Sequence, residues 1–176
     1  MFFRKRKAPD RDSFPEAPAV TAAFRRVVTG HDPQGWSIVR SVDTLRPVTT
    51  ELGEVAFAQV WATPEVPANL NDRSDGAGAT GDRGGSLVRV VDFLPGRKSR
   101  LHRSWSIDYA IVVSGELELQ LDSGMVEHLV AGDIVIQRGT SHLWRNAGED
   151  PCRVVFVLVE ALPVMVGGQL MPETDS

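Results

Sequence analysis

From Ser86 onward the chain is a succession of short, apolar, β-branched stretches, each cut off by a turn signal. They read "SLVRVVDFL", "IDYAIVV", "ELELQLD", "MVEHLVA", "DIVIQ" and "CRVVFVLVEAL", punctuated by "PG", "SG", "DSG", "AGD", "RGT" and "AGEDP". Strands this short and evenly spaced cannot bury their apolar faces singly, so they close on one another as a sandwich or barrel. "TAAFRRVV" is the only stretch able to start a helix, and its Val-Val-Thr continuation favours a strand. No repeat of about 20 to 50 residues is evident, which argues against a propeller or solenoid. With 176 residues, 42% of them apolar, the chain has material for one core.

Ahead of this run, residues 1–19 combine Arg and Lys with Pro9, Pro15 and Pro18 and read as a disordered tail, too poor in apolar surface to offset the entropy of ordering. "FRRVVTGHDPQGWSIVRSV" reads as a hairpin with a long loop and "EVAFAQVWA" as a further strand, so residues 20–62 form an N-terminal β extension. Residues 63–85 hold almost no large apolar side chain after Leu70 and read as a flexible loop. The barrel occupies residues 86–165, and residues 166–176 form a C-terminal tail. A net charge of -4 offers no basic footprint for nucleic acid. No apolar run suits a signal-peptide core or a membrane span. Cys152 is the only cysteine, which excludes an intrachain disulfide, a four-thiolate zinc site and a CxxC redox pair. A cytoplasmic protein without nucleic-acid or membrane partners is expected.

Within "RLHRSWSIDYAIVVSG", residues 100–115, His102, Ser104, Ser106 and Asp108 share one strand parity and Trp105, Ile107, Tyr109 and Ile111 share the other. By parity alone the polar set faces water and the apolar set the core. The spacing contains more. Gly96-x5-His102-x-Ser104-x3-Asp108-x6-Gly115, followed by Gly132, Gly139, His142 and Asn146, resembles the two motifs of the cupin superfamily. Those motifs run Gly-x5-His-x-His-x3-4-Glu-x6-Gly and Gly-x5-Pro-x-Gly-x2-His-x3-Asn. Ser104 stands where the family has a His, Asp108 where it has the Glu, and Gln137 where it has the Pro. The Gly132-to-Gly139 interval is one residue short. The resemblance covers roughly residues 86 to 160.

What the resemblance implies is an all-β, double-stranded β-helix barrel of the cupin or jelly-roll type with extra N-terminal strands. It reverses the faces, turning His102, Ser104 and Asp108 into an interior cavity. It also implies that His102, Asp108 and His142 are catalytic residues holding one divalent transition metal (Fe, Zn, Mn, Ni or Cu). Two imidazoles and one carboxylate match in type the facial triad of non-haem iron oxygenases. Ser104, Trp144 and Arg100 are expected around the substrate. The outward apolar set then needs a cover, from the N-terminal strands or from a second subunit, and a homodimer is expected. The implied function is a small-molecule enzyme, either an oxygenase or a Lewis-acid lyase or isomerase acting on an organic substrate. Two alternatives stand beside it: a metal-free isomerase using His102 and Asp108 as acid and base, and a non-catalytic binding protein. His31 and His128 read as surface residues. Arg100 and Arg103, flanking His102, read either as solvated charges or as an attraction for an anionic substrate.

Overall fold

The computed structural model describes residues 22–51, 55–70 and 84–174. The expected N-terminal tail and most of the 63–85 loop lie outside the described residues. Among the described residues there are thirteen strands and no helix, hence none long and apolar enough to cross a membrane. Within "TAAFRRVV", residues 24–28 are strand, as the β-branched end favours.

Strand β1 (Phe24–His31) pairs with β2 (Ser37–Leu45) as a separate antiparallel hairpin. Its loop is closed by the Asp32 carboxylate, which accepts from the Gln34 and Trp36 amides at 2.9 Å each. The main sheet has six strands in the order β3 (Val48–Thr49), β4 (Val55–Thr63), β5 (Ser86–Phe93), β11 (Cys152–Glu160), β6 (Ser106–Ser114) and β9 (Ile134–Arg138). The opposing sheet runs β10 (His142–Arg145), β7 (Glu116–Leu121), β8 (Val126–Val130). Residues 98–102 extend it through bridges at Lys98–Arg145 and His102–His142. Thus β3 and β4, expected as part of an extension, belong to the barrel itself, because β4 is hydrogen-bonded along the whole of β5.

Inward residues of the two sheets meet in one core. Val91, Phe93, Ala110, Val112, Val154 and Phe156 come from the large sheet, and Leu117, Leu119, Leu129 and Trp144 from the small one. Outside the large sheet, Asp92 and Arg153 form a buried pair at 2.6 and 2.7 Å. Arg153 also donates to the Ala22 carbonyl and lies over the Phe24 ring, tying the root of the hairpin to the barrel. Removing one partner of such a pair typically costs about 3–5 kcal/mol.

Two motif glycines are required by close approach. A Cβ at Gly115, where φ is +78°, would sit 2.6 Å from the Pro151 carbonyl oxygen and 2.9 Å from Cys152 Cα. One at Gly139, where φ is +65°, would meet Val164 Cγ2 at 2.6 Å. Asn146 is fully buried and works as a staple: its amide donates to the Phe93 and Asp150 carbonyls, and its Oδ1 accepts from the Gly148 amide.

The C-terminal segment is more than a tail. It forms a small hairpin, β12 (Met165–Val166) with β13 (Gln169–Leu170), and returns to pair Thr174 with Arg103. Pro163, Glu173 and Thr174 thereby become walls of the barrel's cavity.

Candidate functional site

Strand β6 enters the barrel with Ser106, Asp108, Ala110 and Val112 facing inward, while Tyr109 and Val113 remain exposed on the outer face. The polar parity therefore points inside, as the motif resemblance implies and the bare alternation does not. Asp108 is 6% exposed and lines a cavity of about 790 Å³ together with His102, Ser104 and Ser106. This is the size of a pocket for a small organic molecule.

Three hydroxyl and carboxyl groups form a cluster there. Ser106 Oγ lies 2.5 Å from Asp108 Oδ1 and 2.8 Å from Ser104 Oγ, and Ser104 Oγ lies 3.5 Å from Asp108 Oδ2. Burial pushes the Asp108 carboxyl above its ordinary range, opposed by the Ser106 hydrogen bond, the charges of Arg89 and His102, and Ser104. Gln137, at the position of the family's proline, is paired across the ladder from Asp108 and accepts from the Thr140 hydroxyl.

His102 and His142 meet through their backbones, each amide donating to the other's carbonyl at 2.9 Å, and their rings stand 4.4 Å apart. Both Nδ1 atoms face carbonyls, of Arg100 at 3.1 Å and of Thr140 at 2.9 Å. A carbonyl only accepts, so Nδ1 carries a proton in each ring. His142 is 2% exposed, and burial pushes its pKa down to about 4 against the opposing Thr140 hydrogen bond. It is neutral at neutral pH.

The residues expected as metal ligands suit a transition metal by type, but the structure does not bring all three together. Among the described residues, no group of three or more His, Cys, Asp or Glu side chains is close enough to hold an ion. His102 bridges to the small sheet, whereas Asp108 sits on β6 of the large one and is occupied by serine hydroxyls. His142 lies behind His102, away from the cavity walls.

Two further expectations are corrected. Trp144 is not a cavity wall: it is 3% exposed in the core, edge-on to Phe156 at 5.5 Å and to His142 at 5.6 Å. Arg100 is exposed and does not line the cavity, its carbonyl meeting His102 Nδ1 and the Ser99 hydroxyl; Arg103 lines the cavity instead. His128 is exposed, 3.6 Å from Glu118, and His31 ends β1 in solvent, as expected of surface residues. Arg89 and Ser106 are cavity residues that the motif comparison does not select. The readable signal for Arg89 is its inward parity in "SLVRVVDFL", shared with Leu87, Val91 and Phe93.

Comparison with known proteins agrees with this architecture. A model of the cupin domain matches residues 89–158. Phomopsin biosynthesis cluster protein C' of Diaporthe leptostromiformis is 38% identical over 157 residues, covering 83% of this chain and 83% of that protein. A cupin-domain-containing oxidoreductase of Aspergillus ruber is 37% identical over 157 residues, covering 83% of this chain and 77% of that protein. Among solved structures, a conserved protein with a double-stranded β-helix domain from Klebsiella pneumoniae aligns with a TM-score of 0.49 at 28% identity, over 65% of this chain and 84% of that one. The cupin-domain match and the relatives from Diaporthe leptostromiformis and Aspergillus ruber, with the motifs in their places, make the chain a member of the cupin family.

Proposed function

We propose that this chain is a small-molecule enzyme whose reaction takes place at the His102 and Asp108 end of the barrel cavity. The observation that carries the reading is that one cavity unites an imidazole, a raised carboxyl and two serine hydroxyls in a volume suited to an organic substrate. Its relatives include a protein of a phomopsin biosynthesis cluster and proteins named as cupin-domain-containing oxidoreductases, which supports small-molecule chemistry over passive binding. In this reading His102 and Asp108 exchange protons with the bound substrate, and Ser104 and Ser106 orient the Asp108 carboxyl. His142 holds the His102 ring in place. Proton transfer by placed side chains contributes on the order of 10²- to 10⁴-fold in rate.

The test is to incubate the protein with a metabolite mixture in D2O and follow deuterium uptake or conversion by mass spectrometry. The expected result is one component that changes with the wild type, at a rate at least about 100-fold lower with His102→Ala and with Asp108→Asn. Equal rates in the folded variants would sink the assignment.

A metal-assisted reading draws support from the paired imidazoles of His102 and His142, whose free Nε2 atoms are metal donors by type. Metal analysis of protein prepared without chelator and offered Fe(II), Zn(II), Mn(II), Ni(II) and Cu(II) separates the two readings. Near-stoichiometric retention of one ion, lost in His142→Ala, would favour the metal.

A further inference from the structure

His102, Arg103, Ser104, Trp105 and Ser106 all line the barrel's cavity, which consecutive residues of a regular strand could not do. The alternation fails because β6 begins only at Ser106, and the residues before it are held by single bridges, His102 to His142 and Arg103 to Thr174. The Arg103 side chain, which strand parity would turn away from His102, thereby borders the same cavity and is only 10% exposed. Among the described residues its guanidinium makes no hydrogen bond: Nη2 stands 3.8 Å from Asp122 Oδ2, and Nε is buried without an acceptor. The Asp122 side chain is 54% exposed, so this ion pair is screened by water and fixes the guanidinium without occupying its donors. A nearly buried cation with donors to spare is costly, and such a group is explained by what it binds. Leu162 borders the same cavity and is 91% exposed, and Leu87 and Leu158 continue this apolar wall, which suits a carbon skeleton.

We infer that Arg103 is a substrate-binding residue that receives the carboxylate of a small organic acid whose apolar body lies against Leu158 and Leu162. The inference rests on the proposed reading of the cavity as a substrate site and adds to it the class of substrate. Arginine suits the role better than lysine because its planar fork matches two carboxylate oxygens at once. The acidic side chains that border the cavity are engaged elsewhere or lie in solvent. Asp108 takes the Ser106 hydroxyl at 2.5 Å and the charge of Arg89, Glu173 accepts the Trp105 amide at 3.0 Å, and Glu160 is exposed at the end of β11. These carboxyl groups repel a second negative charge, so a monoanionic carboxylate fits the site better than a phosphate dianion.

Hexanoate, its neutral analogue hexanamide and hexyl phosphate, each titrated into the full chain by calorimetry, test this directly. The wild type is expected to bind hexanoate at least about 10-fold more tightly than hexanamide, and more tightly than hexyl phosphate. Arg103→Gln should abolish the preference over hexanamide. Arg103→Lys keeps the charge but not the fork and should retain a smaller preference. Circular dichroism reports the fold, and if R103Q does not fold, R103K and the wild type still decide. A hexanoate preference of wild-type size in folded R103Q or in R103K would overturn the inference. So would equal affinity of the wild type for hexanoate and hexanamide, tighter binding of hexyl phosphate than of hexanoate, or no binding of hexanoate at millimolar concentration. The titration does not read turnover, so these failures leave the proton-transfer assignment standing. Undiminished turnover in folded His102→Ala and Asp108→Asn proteins, with the hexanoate preference intact, would do the reverse.

Discussion

His142 shows what the barrel does to a single residue. Its imidazole is removed from water between the His102 and Trp144 rings, and its charged form is disfavoured strongly enough to place its pKa at about 4. In the unfolded chain the same group titrates near 6.5. Between these values the unfolded state binds more protons than the folded one, so stability rises with pH across that window and is lost on acidification. The size is on the order of 3 kcal/mol if the whole shift is realised. Asp108 acts in the opposite sense: its raised folded pKa makes stability fall as pH climbs from 3.8 toward the folded value. Urea titrations at pH 7 and pH 4.5 should therefore show a lower midpoint in acid for the wild type. In His142→Gln the acid-induced loss should be smaller by about 2–3 kcal/mol. An identical pH dependence in the two proteins would show that another group controls acid stability.

At the scale of elements, the segment after β11 behaves as a strap across the mouth of the barrel. Trp105 holds it at both ends: its amide donates to Glu173, its indole Nε1 donates to the Met171 carbonyl at 3.0 Å, and its own carbonyl accepts from the Ala161 amide. Reciprocal Arg103–Thr174 backbone bonds add a second clasp, and the Gly139–Val164 approach presses the strap onto the second motif. One net hydrogen bond is worth about 1 kcal/mol, close to a fivefold change in an opening equilibrium. Trp105→Phe keeps most of the ring and loses the indole donor. Amide exchange across residues 165–174 should accelerate by about fivefold in this variant, with the core strands unchanged. No acceleration would mean that the strap is held without Trp105.

For the whole molecule, the outer face of the large sheet is the surface that presents exposed apolar side chains. The N-terminal hairpin docks by its root, through Phe24 and through Arg26, which donates to the Val60 carbonyl. That leaves Tyr109, Val113, Ile134 and Ile136 exposed on β6 and β9. The register pairs Tyr109 with Ile136 and Ile111 with Ile134, so these side chains form one apolar patch. Val27, Val39 and Val42 of the hairpin are exposed as well, and an isolated two-stranded hairpin is marginal in water. A second copy that covers the patch with its own sheet or hairpin would satisfy both surfaces. Light scattering at micromolar concentration is expected to give a homodimer, with an interface on the order of 1,200 Å² or more. Ile136→Lys should shift it to monomer. A wild-type monomer would contradict the assignment.

Legibility followed the range of the interactions. Alternation with a period of two is a local property, so β5, β6, β7, β8, β9 and β11 could be read directly, and the motif spacing placed Asp108 and His102 at the cavity. The direction in which Asp108 faces was not local: parity allowed either face, and the motif resemblance chose correctly. Beyond that, contacts between segments far apart in the chain decided the outcome. Trp144 was drawn into the core by Phe93 and Phe156, His142 was set behind His102 by a backbone bridge, and residues 161–174 were bound to Arg103 and Trp105. Arg89 could have been marked by its inward parity, but its position beside Asp108 depends on β5, β11 and β6 lying in register. Strand periodicity encodes which residues share a face, because each residue rotates its side chain by half a turn. Which faces meet is settled only when the two sheets close on each other.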